Sequence, residues 1–145
     1  MKQLIIGSLL ILGSISDYSE PNQSNGTLVL EITGIDDKGG VMMIAVFKED
    51  DKFLKEPSYA EEVSINEESN ITVKFNNIPF DTYAISIYHD LNENGELDSN
   101  FIKIPKEPIG FSNEYFPKFG PPKFKNASFI LNQNELKMNV NLETY

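Results

Sequence analysis

A chain of 145 residues is the size of one domain, and 40% apolar with 11% aromatic residues is enough to build a packed core. Every one of its 12 basic residues is lysine, against 22 acidic ones, for a net charge of −10. Without arginine forks or a basic surplus, nucleic acid is excluded as a partner. The absence of cysteine removes disulfides, thiolate metal sites and thiol nucleophiles. Charge of this size and sign favours cations in solution and repels anionic surfaces.

Residues 1–16 read as a signal peptide. Lys2 is the positive head, Leu4 to Ile15 the apolar run, and Ser14-Ile15-Ser16 a small-residue cleavage site. The 12-residue run is shorter than the ~20 residues a membrane-spanning helix needs, so no stable membrane span is expected after cleavage. The expected location is outside the cytoplasm, periplasmic or extracellular. Residues 17–26 are polar and form a flexible lead-in, leaving 27–145 as a single domain.

From Thr27 onward, short stretches of period-two alternation are separated by turn residues. Leu28, Leu30 and Ile32 mark a first strand ending at Gly34, and Ile35 to Gly40 is a turn. Val41 to Phe47 is apolar on both faces, as a central strand should be. Lys48 to Ala60 is a charged loop with Phe53, Leu54 and Tyr59 as anchors. Glu62 to Ile65 is a short strand, and Ile71, Val73 and Phe75 face inward on the next. Tyr83, Ile85, Ile87 and His89 share one face of a fifth strand.

A long excursion follows, from Asp90 to Lys125, before two final strands at Ala127 to Leu131 and Leu136 to Leu142. The expectation is an all-β protein, an antiparallel β-sandwich of about seven strands with a long ordered loop after the fifth. Loops of that length in compact domains are usually functional.

Within the excursion, Asp90 to Asp98 reads D-x-N-x-N-G-x-L-D, the first nine positions of a calcium loop. Asp90, Asn92, Asn94 and Asp98 would supply side-chain oxygens, and Glu96 its backbone carbonyl. Gly95 permits the tight turn. Position 12, which in a helical hand holds a bidentate Glu, is Phe101, and only two ligands are charged. Any site for Ca²⁺ is therefore weak, in the ~10⁻⁴–10⁻³ M range of extracellular modules. The competing reading is an acidic turn whose asparagines bond their own backbone.

His89 is the only imidazole and reads as a hydrogen-bonded structural residue, since Asp90 lies on the opposite strand face. No residues stand out as catalytic. Phe111, Tyr115, Phe116 and Phe119 lie in a Pro- and Gly-stiffened stretch. They form either a platform for an envelope glycan or peptide, or a lid folded over the open end of the sandwich. Three functions are thus in play. They are a non-enzymatic module with a Ca²⁺ loop, a carbohydrate- or peptide-binding module, and an envelope polysaccharide hydrolase with a carboxylate pair near the loop.

Three blocks occur in order: Y-A-I-S-I-Y-H-D-L-N-E-N-G-E-L-D, I-P-K-E-P-I-G-F-S-N and G-P-P-K-F-K-N-A-S-F. In these the chain resembles a family of small exported bacterial proteins known as domain of unknown function 2141. The likeness runs from about Leu28 to Leu142. It implies a β-sandwich of transthyretin-like or immunoglobulin-like appearance, and no established activity. The family's H-D-x-N-x-N-G-x-x-D block falls on His89, Asp90, Asn92, Asn94, Gly95 and Asp98, and its P-K-E-x-x-G-F-S block on Pro105 to Ser112. The chain departs from the pattern at Phe80-Asp81, where Pro-Gly is common before the Tyr.

Overall fold

A computed structural model describes residues 24–48 and 52–145. The signal peptide and most of the lead-in expected from the sequence lie outside these residues. Eight strands build two sheets, one more strand than the alternation suggested. They are β1 (Asn25–Thr33), β2 (Val41–Lys48), β3 (Tyr59–Ser64), β4 (Ile71–Pro79), β5 (Asp81–Asp90), β6 (Ile109–Phe111), β7 (Ser128–Leu131) and β8 (Glu135–Asn141). The smaller sheet has the order β4-β1-β8. The larger runs β3-β2-β5-β6, with β7 pairing farther along β5.

Nearly all pairings are antiparallel. The exception is β1 with β8, which run parallel from Thr27 opposite Glu135 to Thr33 opposite Asn141. Alternation within a strand reveals its faces and not the direction of its neighbour, so this pairing was not visible beforehand. The chain passes from one sheet to the other at Phe80, a single residue between β4 and β5, whose N–H reaches Ser24 O at 2.6 Å. That is the position where the family pattern is broken.

The inward faces are the ones the alternation marks. Leu28, Leu30 and Ile32 of β1 meet Tyr83, Ile85 and Ile87 of β5, all at 0% exposure, with Met42, Ile44, Val46, Ile78 and Val140 around them. Burying that much apolar area is the main favourable contribution to folding, at about 25 cal/mol per Å². Gly110 makes the close approach possible on β6, because a Cβ there would come within 2.8 Å of Val140 Cγ1.

The other face of the larger sheet is also covered. Phe47 lies opposite Ala84, and Ser86 and Tyr88 lie opposite Phe111 and Ile109, so these side chains share the outer face. A second apolar cluster forms there from Ala84, Ile109, Phe111 and Ala127, with Phe53, Tyr88, Phe116 and Phe124 packed against it. Phe53 bridges it through edge-to-face contacts with Phe47 at 5.2 Å and Phe124 at 5.7 Å.

This corrects three expectations. The later part of the excursion holds regular structure, namely β6, a 3₁₀ turn at Ser112–Glu114 and a one-turn helix, α1 (Phe124–Ala127). Phe111, Phe116 and Phe124 pack on the outer face of a sheet and not over the open end of the sandwich, while Phe101 and Phe119 stay exposed. Leu54 does not anchor its loop, being 36% exposed on a backbone at φ 65°, while Phe53 and Tyr59 do.

Candidate functional site: the loop that follows strand β5

Asp90 closes β5 on the outer face and His89 precedes it on the inner one, as their pairing with Val41 and Met42 requires. His89 is fully buried, and its Nε2 donates to Gly39 O at 2.7 Å. That contact ties β5 to the turn between β1 and β2. Nδ1 of the same ring is buried without a hydrogen-bond partner. Gly40 lies against the end of β5 so closely that a Cβ would meet Asp90 O at 2.5 Å, and its φ of +78° suits glycine.

The loop beyond curls around Asp90, whose side chain is 1% exposed as a residue. Its Oδ1 accepts Asn94 N–H at 3.2 Å and its Oδ2 accepts Gly95 N–H at 2.7 Å. Two further turns of the same kind follow, with Asn92 Oδ1 accepting Asn94 N–H at 3.2 Å and Asn94 Oδ1 accepting Glu96 N–H at 2.8 Å. Glu93 and Gly95 take left-handed backbone angles that let the chain coil. Asp98 then returns to the start of the loop. Its carboxylate accepts the side-chain amides of Asn92 at 2.7 Å and Asn94 at 3.3 Å.

Four of the five residues singled out as metal ligands, Asp90, Asn92, Asn94 and Asp98, thus lie in one hydrogen-bonded knot. Glu96 joins it through its N–H, with its side chain exposed. Among the described residues, no group of three or more His, Cys, Asp or Glu side chains is arranged around one metal position.

A residue given no role in the sequence reading holds the loop together. Glu107 is 4% exposed, and its carboxylate accepts Leu91 N–H at 3.0 Å and Asp98 N–H at 2.9 Å. One buried side chain therefore binds both ends of the coil. Between them, Lys106 N–H bonds Asp98 O at 2.9 Å, and Asn100 N–H bonds Ile104 O. No local pattern marked it, since Glu107 follows Lys106 between Pro105 and Pro108 and reads as a solvated charge.

The field around the loop is negative. Tyr88 donates its hydroxyl to Gly95 O at 3.1 Å. Its phenol is held above the usual tyrosine value, first by burial and then by the charges of Asp90, Glu107, Glu62 and Glu96.

The four aromatic residues of the candidate platform are not brought together at one exposed surface. Phe111 is 6% exposed in the outer-face cluster, and Phe116 packs at 4.7 Å against Tyr145. Tyr115 is half-buried, and Phe119 stands free at 95% exposure. Ser112, fully buried, accepts Ile85 N–H at 2.9 Å and donates to Ala127 O, fastening this stretch to β5. Two shallow depressions of about 500 and 550 Å³ lie along β7, β8 and β1, β4, β8; neither reaches Asp90, Glu107 or His89.

Two packed sheets, a covered outer face and one coiled acidic loop define a β-sandwich module. The chain belongs to the family described as an uncharacterized protein conserved in bacteria, DUF2141, which it matches over residues 30–139. That span holds the whole loop and Glu107. No curated protein and no solved structure matches the chain.

Proposed function

We propose that the protein is an exported, non-enzymatic module whose Asp90–Asp98 loop binds Ca²⁺ weakly and is stiffened by it. The observation that carries this reading is the convergence of Asn92 and Asn94 on the Asp98 carboxylate, in a coil started by Asp90. Two carboxylates, two amides and a backbone carbonyl are the hard oxygen donors that calcium prefers. Either asparagine could turn an oxygen toward the ion only by giving up the backbone N–H that its Oδ1 accepts. The acids gathered near Tyr88, namely Asp90, Glu107, Glu62 and Glu96, favour a cation at this end of the sandwich.

Glu107 supports the reading as well. It fixes both ends of the loop from within the fold, so binding an ion there does not have to order a free chain. A hydrolytic role is less well supported. Glu107 is taken up by two backbone N–H groups, and no second carboxylate is paired with Asp90 or Asp98 across an open cleft among the described residues.

The test is a thermal melt in millimolar Ca²⁺, in Mg²⁺ and in chelator. A rise in Tm specific to Ca²⁺, growing as RT ln(1 + [L]/Kd), supports the proposal. Equal melts in Ca²⁺ and chelator reduce the loop to a self-contained acidic turn.

A further inference from the structure

The charges are unevenly distributed along the chain. Residues 101–125 carry five lysines, at 103, 106, 118, 123 and 125, against Glu107 and Glu114. Glu107 is buried and spent on the loop. This stretch is positive in a protein of net charge −10. None of its five lysines forms an ion pair among the described residues, whereas Lys38, Lys48, Lys52 and Lys137 do.

The same stretch holds the two most exposed large apolar side chains of the described residues, Phe101 at 97% and Phe119 at 95%, with Ile102 at 60% beside the first. Phe101 and Ile102 are presented by a built turn. Asn100 Oδ1 accepts the N–H groups of Ile102 and Ile104, both at 3.0 Å, and Lys103 N–H closes on Asn100 O at 2.9 Å. Lys103 follows at a left-handed φ of 62°. Phe119 lies between Lys118 and Gly120, ahead of Pro121 and Pro122.

A turn stiffened by its own asparagine could have carried polar residues at no cost to the fold. Instead it holds large apolar side chains in water, in a stretch whose lysines form no ion pair among the described residues.

We infer that residues 101–125 are a docking edge for an anionic phospholipid bilayer, with Phe101, Ile102 and Phe119 entering the interface and the lysines meeting phosphate headgroups. Exposed apolar side chains need no complementary pocket in a bilayer, and each nearby lysine adds attraction to an anionic surface. The acidic loop ends at Asp98, three residues before Phe101, so its charge opposes the lysines at that end, and the more distant acids are largely screened at physiological ionic strength.

The chain beginning at Asp17 serves for the test, since it retains both apolar cores and lacks the apolar leader, which would bind membranes by itself. Vesicles of phosphatidylglycerol and phosphatidylcholine should pellet it, and vesicles of phosphatidylcholine alone should not. The double variant Phe101→Ser/Phe119→Ser should bind roughly tenfold more weakly or less with an unchanged Tm. Failure of the parent chain to bind anionic vesicles overturns the inference, as does equal binding by the variant, which would mean adhesion by charge alone. Concentration-dependent dimers abolished by the same variant, without vesicle binding, would replace the bilayer with a second copy of the chain. Repeating the pelleting in chelator keeps this result separate from the calcium proposal, since the docking edge contains none of its ligands.

Discussion

The backbone N–H of Asp98 points at the carboxylate of Glu107, 2.9 Å away and nine residues later in the chain. The second oxygen of that carboxylate holds Leu91, so the first and last turns of the acidic loop are fixed by one side chain that is not part of it. This arrangement decides how the loop should respond to substitution.

Glu107→Ala should cost about 3 kcal/mol, because two amides lose their acceptor where water cannot easily replace it. Glu107→Gln keeps one acceptor and turns an N–H toward the other amide, so its cost should fall between those of Ala and the parent. Urea unfolding of both variants checks the order. Equal stability of Glu107→Ala and the parent would show that the loop closes without the clamp.

Within the loop, Asp90 and Asp98 should separate two effects. Asp90→Ala removes the acceptor of two backbone amides at a buried site and should lower stability by about 2 kcal/mol in chelator. Asp98→Ala loses only exposed amide partners and should cost under about 1 kcal/mol in chelator, while shrinking the Ca²⁺-dependent rise in Tm. A full Ca²⁺ response in Asp98→Ala would remove that residue from the ligand set.

Gly40→Ala should destabilise by about 2 kcal/mol or more, since the new methyl would press on Asp90 O from a left-handed backbone. Gly39 has nothing within 4 Å of its would-be Cβ. Gly39→Ala should therefore cost only the backbone term, about 1 kcal/mol. Thermal melts of the two variants compare the contributions directly.

A pH effect is expected at the link between the sheets. Lys48 Nζ lies 2.9 Å from Asp81 Oδ2, and together with the N–H of Thr82 it holds the Asp81 carboxyl below its ordinary 3.8. A carboxyl depressed in the folded state stabilises above the unfolded value and loses that contribution as the pH falls through the folded one. Asp81→Asn should thus be less stable than the parent at pH 7, by under about 0.5 kcal/mol for so exposed a pair, and equal to it near pH 2. A gap that persists at pH 2 would point to a lost hydrogen bond and not to charge.

Much of the fold was legible because half-buried strands write their faces into period two. Leu28, Leu30, Ile32 and Tyr83, Ile85, Ile87 were all placed correctly, and His89 falls on the inner face with a backbone partner, as its spacing required. The parallel partner of β1 was not legible, since nothing in β8 encodes direction. Neither was β6, three residues long and buried on every position, where no alternation exists to read. The loop motif named its own members through spacing. Glu107 stayed silent because its role depends on where the chain returns after the Asn100–Lys103 turn, a tertiary fact with no local period.

The first and last strands of the described residues lie side by side in the smaller sheet, and the pairing spans Thr27 with Glu135 through Thr33 with Asn141. Without β8, β1 would have β4 on one edge and an open row of amides and carbonyls on the other. The smaller sheet is therefore completed by β8. Losing β8 would turn an interior strand into an edge, and an exposed edge is a template for pairing with another chain.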